Sequence, residues 1–385
     1  MKFKIEISPN LFRILSIIRD AGGTPRLVGG CVRDALLGVS SVSDIDINST
    51  LLPEELMALC SAQQIKFYDT GSRYGTVTVN DGDRDYEVTT LRKDTNCDGR
   101  HTKPEFTDNF ELDAKRRDFT INSMSYCPFE EKLFDYCGGY QDLLDKRLVF
   151  IGNPDERIKE DHLRILRFFR FSDRFAEMLD PQSLRACIKN KELLSRLSKE
   201  RILSELNKIL ISKTSHKALD IMIKYEILSS VLDIKLHTEL LKKINLEAPE
   251  ILEPNVQVKC AALFIRNSLA QIIQTMKELH FSRNNSAAIK ELCAFYKSNH
   301  DIENMTHDEL KKIFYPLWIE GVNMMQYLVI SCAWKNNFFD DLKVLLSNPP
   351  KCPINGNHPD LVGLNGAEIK SKLQELKLEW IKNNF

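Results

Sequence analysis

The chain has 385 residues, more than one ordinary core accommodates, so two or more domains are expected. Hydrophobic residues make up 43% and charged residues 28%, and the formal net charge is -1, which excludes a globally polybasic protein and confines any nucleic-acid surface to local patches. No run approaches the roughly 18 apolar residues of a membrane span, and the 10 cysteines lack CxxC spacing, so an unexported, soluble chain with reduced thiols is expected rather than a membrane, zinc or disulfide protein.

Taken in order, residues 11–19 carry apolar positions at helical spacing, and Arg26-Leu27-Val28 reads as a short strand. Gly29-Gly30 then makes a turn that opens a helix through Arg33-Asp34. Residues 43–48 form a second strand containing Asp44-Ile45-Asp46, and residues 53–61 a helix with proline at its start, where the missing donor costs little. Residues 74–79 and 85–91 are β-rich runs joined by Asn80-Asp81-Gly82-Asp83, a hairpin signal. A polar stretch, residues 92–104, follows and reads as a loop. After about residue 150 the texture becomes helical. Between residues 157 and 208 there are 13 Lys/Arg against 8 Asp/Glu, whereas from 213 onward there are 21 against 20, so the positive excess lies next to the β-containing part. A last helix begins near Gly366 after a proline-rich break at 348–353.

Asp44 and Asp46, one residue apart on a strand, point to the same face and can share a divalent metal. The glycine turn lets backbone N–H groups approach a polyphosphate, and the helix that follows adds its positive end. Phosphate cradle and metal clamp within 20 residues argue for chemistry on a nucleoside triphosphate.

The pattern GG-x-V-R-D, then LG, then D-x-D resembles the signature of the polymerase β-like nucleotidyltransferases, more narrowly the class II tRNA nucleotidyltransferase and bacterial poly(A) polymerase family. Further blocks carry the same resemblance: residues 116–124 (RRDFTINSM), 134–143 (FDYCGGYQDL), 160–171 (EDHLRILRFFRF) and 198–202 (SKERI). The resemblance implies an α+β fold, with a nucleotidyltransferase head (1–145), a helical neck (146–212) and an all-α body and tail (213–385) that hold the tRNA acceptor end. It implies addition of C, C and A to tRNA from CTP and ATP, without a template and with release of pyrophosphate. Poly(A) synthesis is the alternative within the family, and a non-catalytic RNA-binding protein the alternative outside it.

By the same resemblance Asp44 and Asp46 hold Mg²⁺, Gly30 and Arg33 contact the triphosphate, Arg117 contacts nucleotide, and Asp161 and Arg164 read the incoming base. Arg167 and Arg170 approach phosphates. Asp161, Arg164, Arg167 and Arg170 recur every three residues, so they are expected as neighbours on one helical surface, with Phe168, Phe169 and Phe171 burying part of that helix. A carboxylate beside a guanidinium complements the amino donor and ring-nitrogen acceptor shared by cytosine and adenine, and opposes uracil and guanine. Two readings stand for several residues. Arg33 either touches phosphate or pairs with Asp34, Asp118 and Asn122 either read the ribose or tie the loop to the sheet, and Glu87 is either a third acid near the metals or a solvated strand residue. In the family a loop at the position of residues 92–104 is associated with the switch from C to A addition. The expected location is cytoplasmic, or the matrix of an organelle of bacterial origin; the oligomeric state is left open.

Overall fold

The computed structural model describes residues 5–39, 45–93, 105–248, 250, 253–299, 301–319, 324–332, 335 and 352–384. Asp44 and residues 94–104 of the polar loop therefore lie outside the described residues. The chain divides into two compact units, one of Met1–Ser198 with Tyr225–Val231, the other of Lys199–Lys224 with Leu232–Phe385.

The first unit is α+β. It begins with α1 (Pro9–Asp20), whose Ser8 hydroxyl accepts from the Leu11 N–H and whose Leu11, Ile14, Leu15 and Ile18 form a buried stripe at helical spacing. There follow β1 (Arg26–Val28), α2 (Gly30–Leu36), β2 (Asp46–Ser49), α3 (Pro53–Ala62), β3 (Lys66–Gly71), β4 (Thr76–Asn80) and β5 (Asp85–Thr90). A small ladder of β6 (Arg92–Lys93) and β7 (Glu105–Phe106) flanks the polar loop. Then come α4 (Phe110–Lys115), β8 (Ser125–Cys127), β9 (Lys132–Phe134), α5 (Gly139–Leu144), α6 (Pro154–Glu160) and α7 (Arg164–Phe175). Seven strands make one sheet in the order β3-β4-β5-β2-β1-β8-β9, antiparallel throughout except for the parallel pair β2–β5.

The sheet is amphipathic because successive side chains along a strand point to opposite faces. Leu27, Ile47, Val77, Val79, Tyr86, Val88 and Tyr126 share one face and are all but fully buried, with α3 packed on β3 and β4. The opposite face is polar. One rung of it runs Val28–Asp46–Glu87–Thr78–Tyr68 across five strands, and the next carries Arg26, Asn48, Thr89 and Thr76. Thr70 with Thr78 and Thr76 with Thr89 pair their hydroxyls at 2.9 and 3.0 Å, the usual way β-branched polar residues line such a surface.

Gly139 shows why the glycine pair of residues 134–143 is needed. A Cβ there would lie 2.1 Å from the carbonyl oxygen of Thr120 and 2.6 Å from its carbonyl carbon, so α5 can sit on the 3₁₀ turn Thr120–Asn122 only without a side chain. Gly139→Ala is expected to destabilise the unit by about 2–3 kcal/mol, read from its denaturation midpoint.

The second unit is helical in its described residues. Val256–Phe264 is buried from Val258 to Phe264 on every side, as a central helix is, and the buried Lys259 ammonium donates to the carbonyls of Ile211 and Ser212 at 3.3 and 3.1 Å, satisfying the end of helix Lys199–Ile211. Ile302, Leu310, Phe314, Tyr315, Met324 and Leu328 form a further core cluster. The closing helix is Gly366–Asn384, starting where the sequence places it. No described helix is long and apolar enough to cross a membrane.

Candidate active site

The site is built where β1 meets α2. Gly29 has φ +75 and ψ -126, a conformation that disfavours any side chain, and its N–H donates to the Met124 carbonyl at 3.1 Å. Gly30 is the first residue of α2. A Cβ on Gly29 would lie 3.2 Å from Nη1 of Arg117, so this guanidinium leans directly over the turn. Asp46 opens β2 as the register partner of Val28, the residue just before the turn, and its side chain is exposed on the polar face. Glu87, also exposed, is abreast of it on β5 through the parallel pairing. Two carboxylates thus share one rung with the glycine turn. Oxygen-only donors of this kind suit Mg²⁺, and Asp44 belongs to the same run of sequence; among the described residues no cluster of three metal-binding side chains forms.

Arg117 is held in place rather than left to swing. It donates through Nη2 to Asn48 Oδ1 at 3.4 Å and pairs with Asp113 at 3.3 Å. Asp113, 1% exposed, also accepts from Arg116 Nε at 2.8 Å, from Asn48 Nδ2 at 2.7 Å and from the Arg92 N–H at 3.4 Å, and pairs with Arg116 Nη2 at 2.7 Å. Burial alone pushes the Asp113 carboxyl pKa up, but Arg117, Arg116 and the hydrogen bonds together outweigh burial and hold it below the ordinary carboxylate value.

A second buried network ties α2 to α7. Asp118 accepts from its neighbour Phe119 N–H at 2.8 Å, from Asn122 Nδ2 at 3.2 Å and from Arg167 at 2.7 and 2.5 Å. Asn122 in turn accepts from Arg33, which is 4% exposed and paired with Asp34 at 2.8 Å. The Arg33 guanidinium also lies 4.1 Å from the Phe175 ring centroid. Burial lowers the Arg33 pKa from its ordinary value, with Asp34 acting in the opposite direction. Of the two readings of Arg33, pairing with Asp34 is what the structure displays. Asp118 and Asn122 likewise tie the loop to its surroundings.

The helix expected from Asp161 to Arg170 is interrupted, and this corrects the single-surface expectation. Asp161 ends α6 in an extended conformation (φ -146, ψ 106), its Oδ1 accepts from the Leu163 N–H at 3.1 Å, and its carbonyl accepts from the Arg164 N–H at 3.0 Å. An aspartate bonding two residues ahead makes a turn that competes with helix, so Asp161 stands at the joint and α7 starts only at Arg164. Arg164 is directed by Glu160 at 2.6 Å and by the carbonyls of Arg157 and Arg116 at 2.8 and 3.1 Å. Arg167 and Arg170 do share a face of α7, flanking the Phe171 ring at 5.3 and 4.1 Å from its centroid. Ile165, Leu166, Phe168, Phe169 and Phe171 are buried, and Phe168 stacks on Phe150 at 5.8 Å, as the phenylalanine crowding implied.

Asp113 and Asn48 are the residues that motif reading missed. An aspartate three and four residues ahead of two arginines on a short helix was the available signal for Asp113.

Residues 25–149 match the poly A polymerase head domain, and residues 178–241 match the probable RNA and SrmB-binding site of polymerase A. The human mitochondrial CCA tRNA nucleotidyltransferase 1 is 30% identical over 94% of this chain and 83% of its own length. The CCA-adding enzyme of Bacillus subtilis is 35% identical over 55% of this chain and 52% of its own. Among solved structures, the Bacillus stearothermophilus CCA-adding enzyme in complex with CTP superposes with a TM-score of 0.74 at 22% identity, covering 98% of this chain and 94% of that one. The Thermotoga maritima CCA-adding enzyme complexed with tRNA does so with 0.70 at 21%, covering 98% and 93%.

Proposed function

As this chain belongs to the CCA-adding tRNA nucleotidyltransferase family, we propose that it completes tRNA 3′ ends, adding C, C and A from CTP and ATP without a template and releasing pyrophosphate. The observation that carries the reading is Asp46 on the open polar face, one strand from the Gly29 turn under Arg117 and one strand from Glu87.

In this reading the triphosphate lies on the turn at Gly30, against Arg117, with Arg33, Arg167 and Arg170 adding positive charge around it. Arg33 acts through its field and its hold on Asn122 rather than by contact, since both its sides are engaged. Asp44 and Asp46 hold Mg²⁺, with Glu87 beside them. When bound, the metal neutralises charge on the attacking and leaving oxygens. Asp161 and Arg164 offer an acceptor and donors to the amino and ring-nitrogen edge of C or A. The turn at Asp161 and the three anchors of Arg164 support this role by fixing both groups before nucleotide arrives. The head is read as 1–145, the neck as 146–212, and 213–385 as the body and tail that hold tRNA. The compartment proposed is cytoplasmic or an organelle matrix; the vertebrate relatives are named as mitochondrial.

The test is a tRNA ending before CCA, offered to the purified protein. CTP alone is expected to add two residues and stop, and ATP then adds one. Extension by ATP alone into a long tail identifies poly(A) synthesis, and the absence of incorporation and pyrophosphate identifies a non-catalytic protein.

A further inference from the structure

Nucleotidyl transfer is an in-line displacement, with the attacking and leaving oxygens on opposite sides of the phosphorus. If pyrophosphate leaves on the Gly29 turn and Arg117, it departs on the β1 side of Asp46. The attacking 3′-hydroxyl must then arrive from the other side, over β5, β4 and β3.

That flank is the remainder of the rung, from Asp46 through Glu87 and Thr78 to Tyr68, three strand spacings or about 14 Å away. A few nucleotides of single strand cover such a distance. It ends in the exposed ring of Tyr68, and the turn that follows β3 carries a second exposed ring, Tyr74; each has a cation beside it. Tyr68 is 42% exposed with the Lys66 ammonium 5.2 Å from its ring centroid, and Tyr74, in the 3₁₀ turn Ser72–Tyr74, is 50% exposed with the Arg73 guanidinium at 4.9 Å. Asp69, between them, accepts from the Ser72 N–H and hydroxyl at 2.8 and 2.9 Å, so its carboxylate is committed to the turn. The Tyr74 carbonyl is held by Arg92, which sits at the base of the β6–β7 ladder.

We infer that Tyr68 and Tyr74, with Lys66 and Arg73, form the platform on which the single-stranded 3′ end of the RNA primer stacks while its terminal hydroxyl reaches Asp46. The inference rests on the nucleotidyl-transfer reading above. Its chemistry suits that reading, because the primer terminus changes after each addition and every base has a face to stack. Ring stacking beside cations grips a strand without choosing its sequence. Base choice is thereby left to the incoming nucleotide.

Tyr68→Ala and Tyr74→Ala, singly and together, are compared with Tyr68→Phe and Tyr74→Phe in steady-state addition to tRNA lacking its 3′ end. Each alanine variant is expected to raise KM for tRNA roughly tenfold, with KM for CTP and the rate at saturating tRNA unchanged. The phenylalanine variants keep the ring and are expected to keep the parent KM. Because both rings are exposed, melting temperatures are expected to match the parent. An unchanged tRNA KM in the double alanine variant, with a parent that incorporates CMP, overturns the primer path and leaves the activity standing. A rise of KM for CTP equal to that for tRNA also overturns it. A parent that incorporates no nucleotide overturns the activity and the path together.

Discussion

Replacing Asp46 with alanine is expected to slow CMP incorporation about 10³-fold, roughly 4 kcal/mol of transition-state stabilisation, while leaving the melting temperature nearly unchanged. The two halves of that expectation come from the same position. Asp46 is the first residue of β2 and its side chain is exposed on the polar face, so no core contact is lost when it is cut back. Its expected contribution to the rate concerns the charge that develops between the attacking and leaving oxygens. A single-turnover assay at saturating CTP and tRNA reads the rate, and a thermal melt reads the fold. Activity retained within tenfold would remove Asp46 from the metal site and with it the proposed mechanism.

Asp113→Ala is expected to have the opposite character, with a loss of about 3–5 kcal/mol of stability and an inactive site as the consequence. Arg116, Arg117, Asn48 and the Arg92 N–H all converge on this one buried carboxylate. Removing it leaves Arg116 and Arg117, whose side chains are only 16% and 19% exposed, without their common acceptor, and frees Asn48 as well. Arg117 is the group leaning over Gly29, so the cradle loosens with the fold. The sign of the pH effect follows from the direction of the shift. Asp113 titrates below its unfolded value of about 3.9, so its stabilisation is complete above about pH 4 and is lost as pH falls through the lower, folded value. Asp118, held down by Arg167 and Asn122 against its own burial, acts in the same sense. Denaturation measured from about pH 6 downward is expected to show a smaller acid-induced loss in Asp113→Asn than in the parent, because the asparagine has no proton to take up. An identical acid limb in the two proteins would mean that this carboxylate is not paired in solution.

Residue order alone resolves what depends on near neighbours along the chain. Gly29-Gly30 ahead of a helical run, alternation in residues 74–79 and 85–91, and helical spacing in α1 and α7 each place a residue relative to others within a turn or two. They were enough to bring the glycine turn and Asp46 together, and the resemblance of the sequence blocks to the nucleotidyltransferase family identified the head. Proximity across the sheet is different in kind. Glu87 stands abreast of Asp46 only because β2 and β5 pair in parallel at one register, and a slip of one residue would turn Glu87 to the apolar face. Asn48 meets Asp113 across 65 positions, and Arg33 reaches Asn122 across 89. Of the two readings of Asp118 and Asn122, those contacts display the one in which both tie the loop to its surroundings. Asp161 leaves the expected helical stripe for a related reason. Spacing of three residues describes a helical stripe, but a short carboxylate that can bond its own backbone ends the helix instead, and the resulting joint sets where Arg164 points. Local periodicity therefore sufficed for most of the elements and the resemblance for their chemistry, while pairing register and competing hydrogen bonds, which exist only once the strands and helices have met, decided how the site is held.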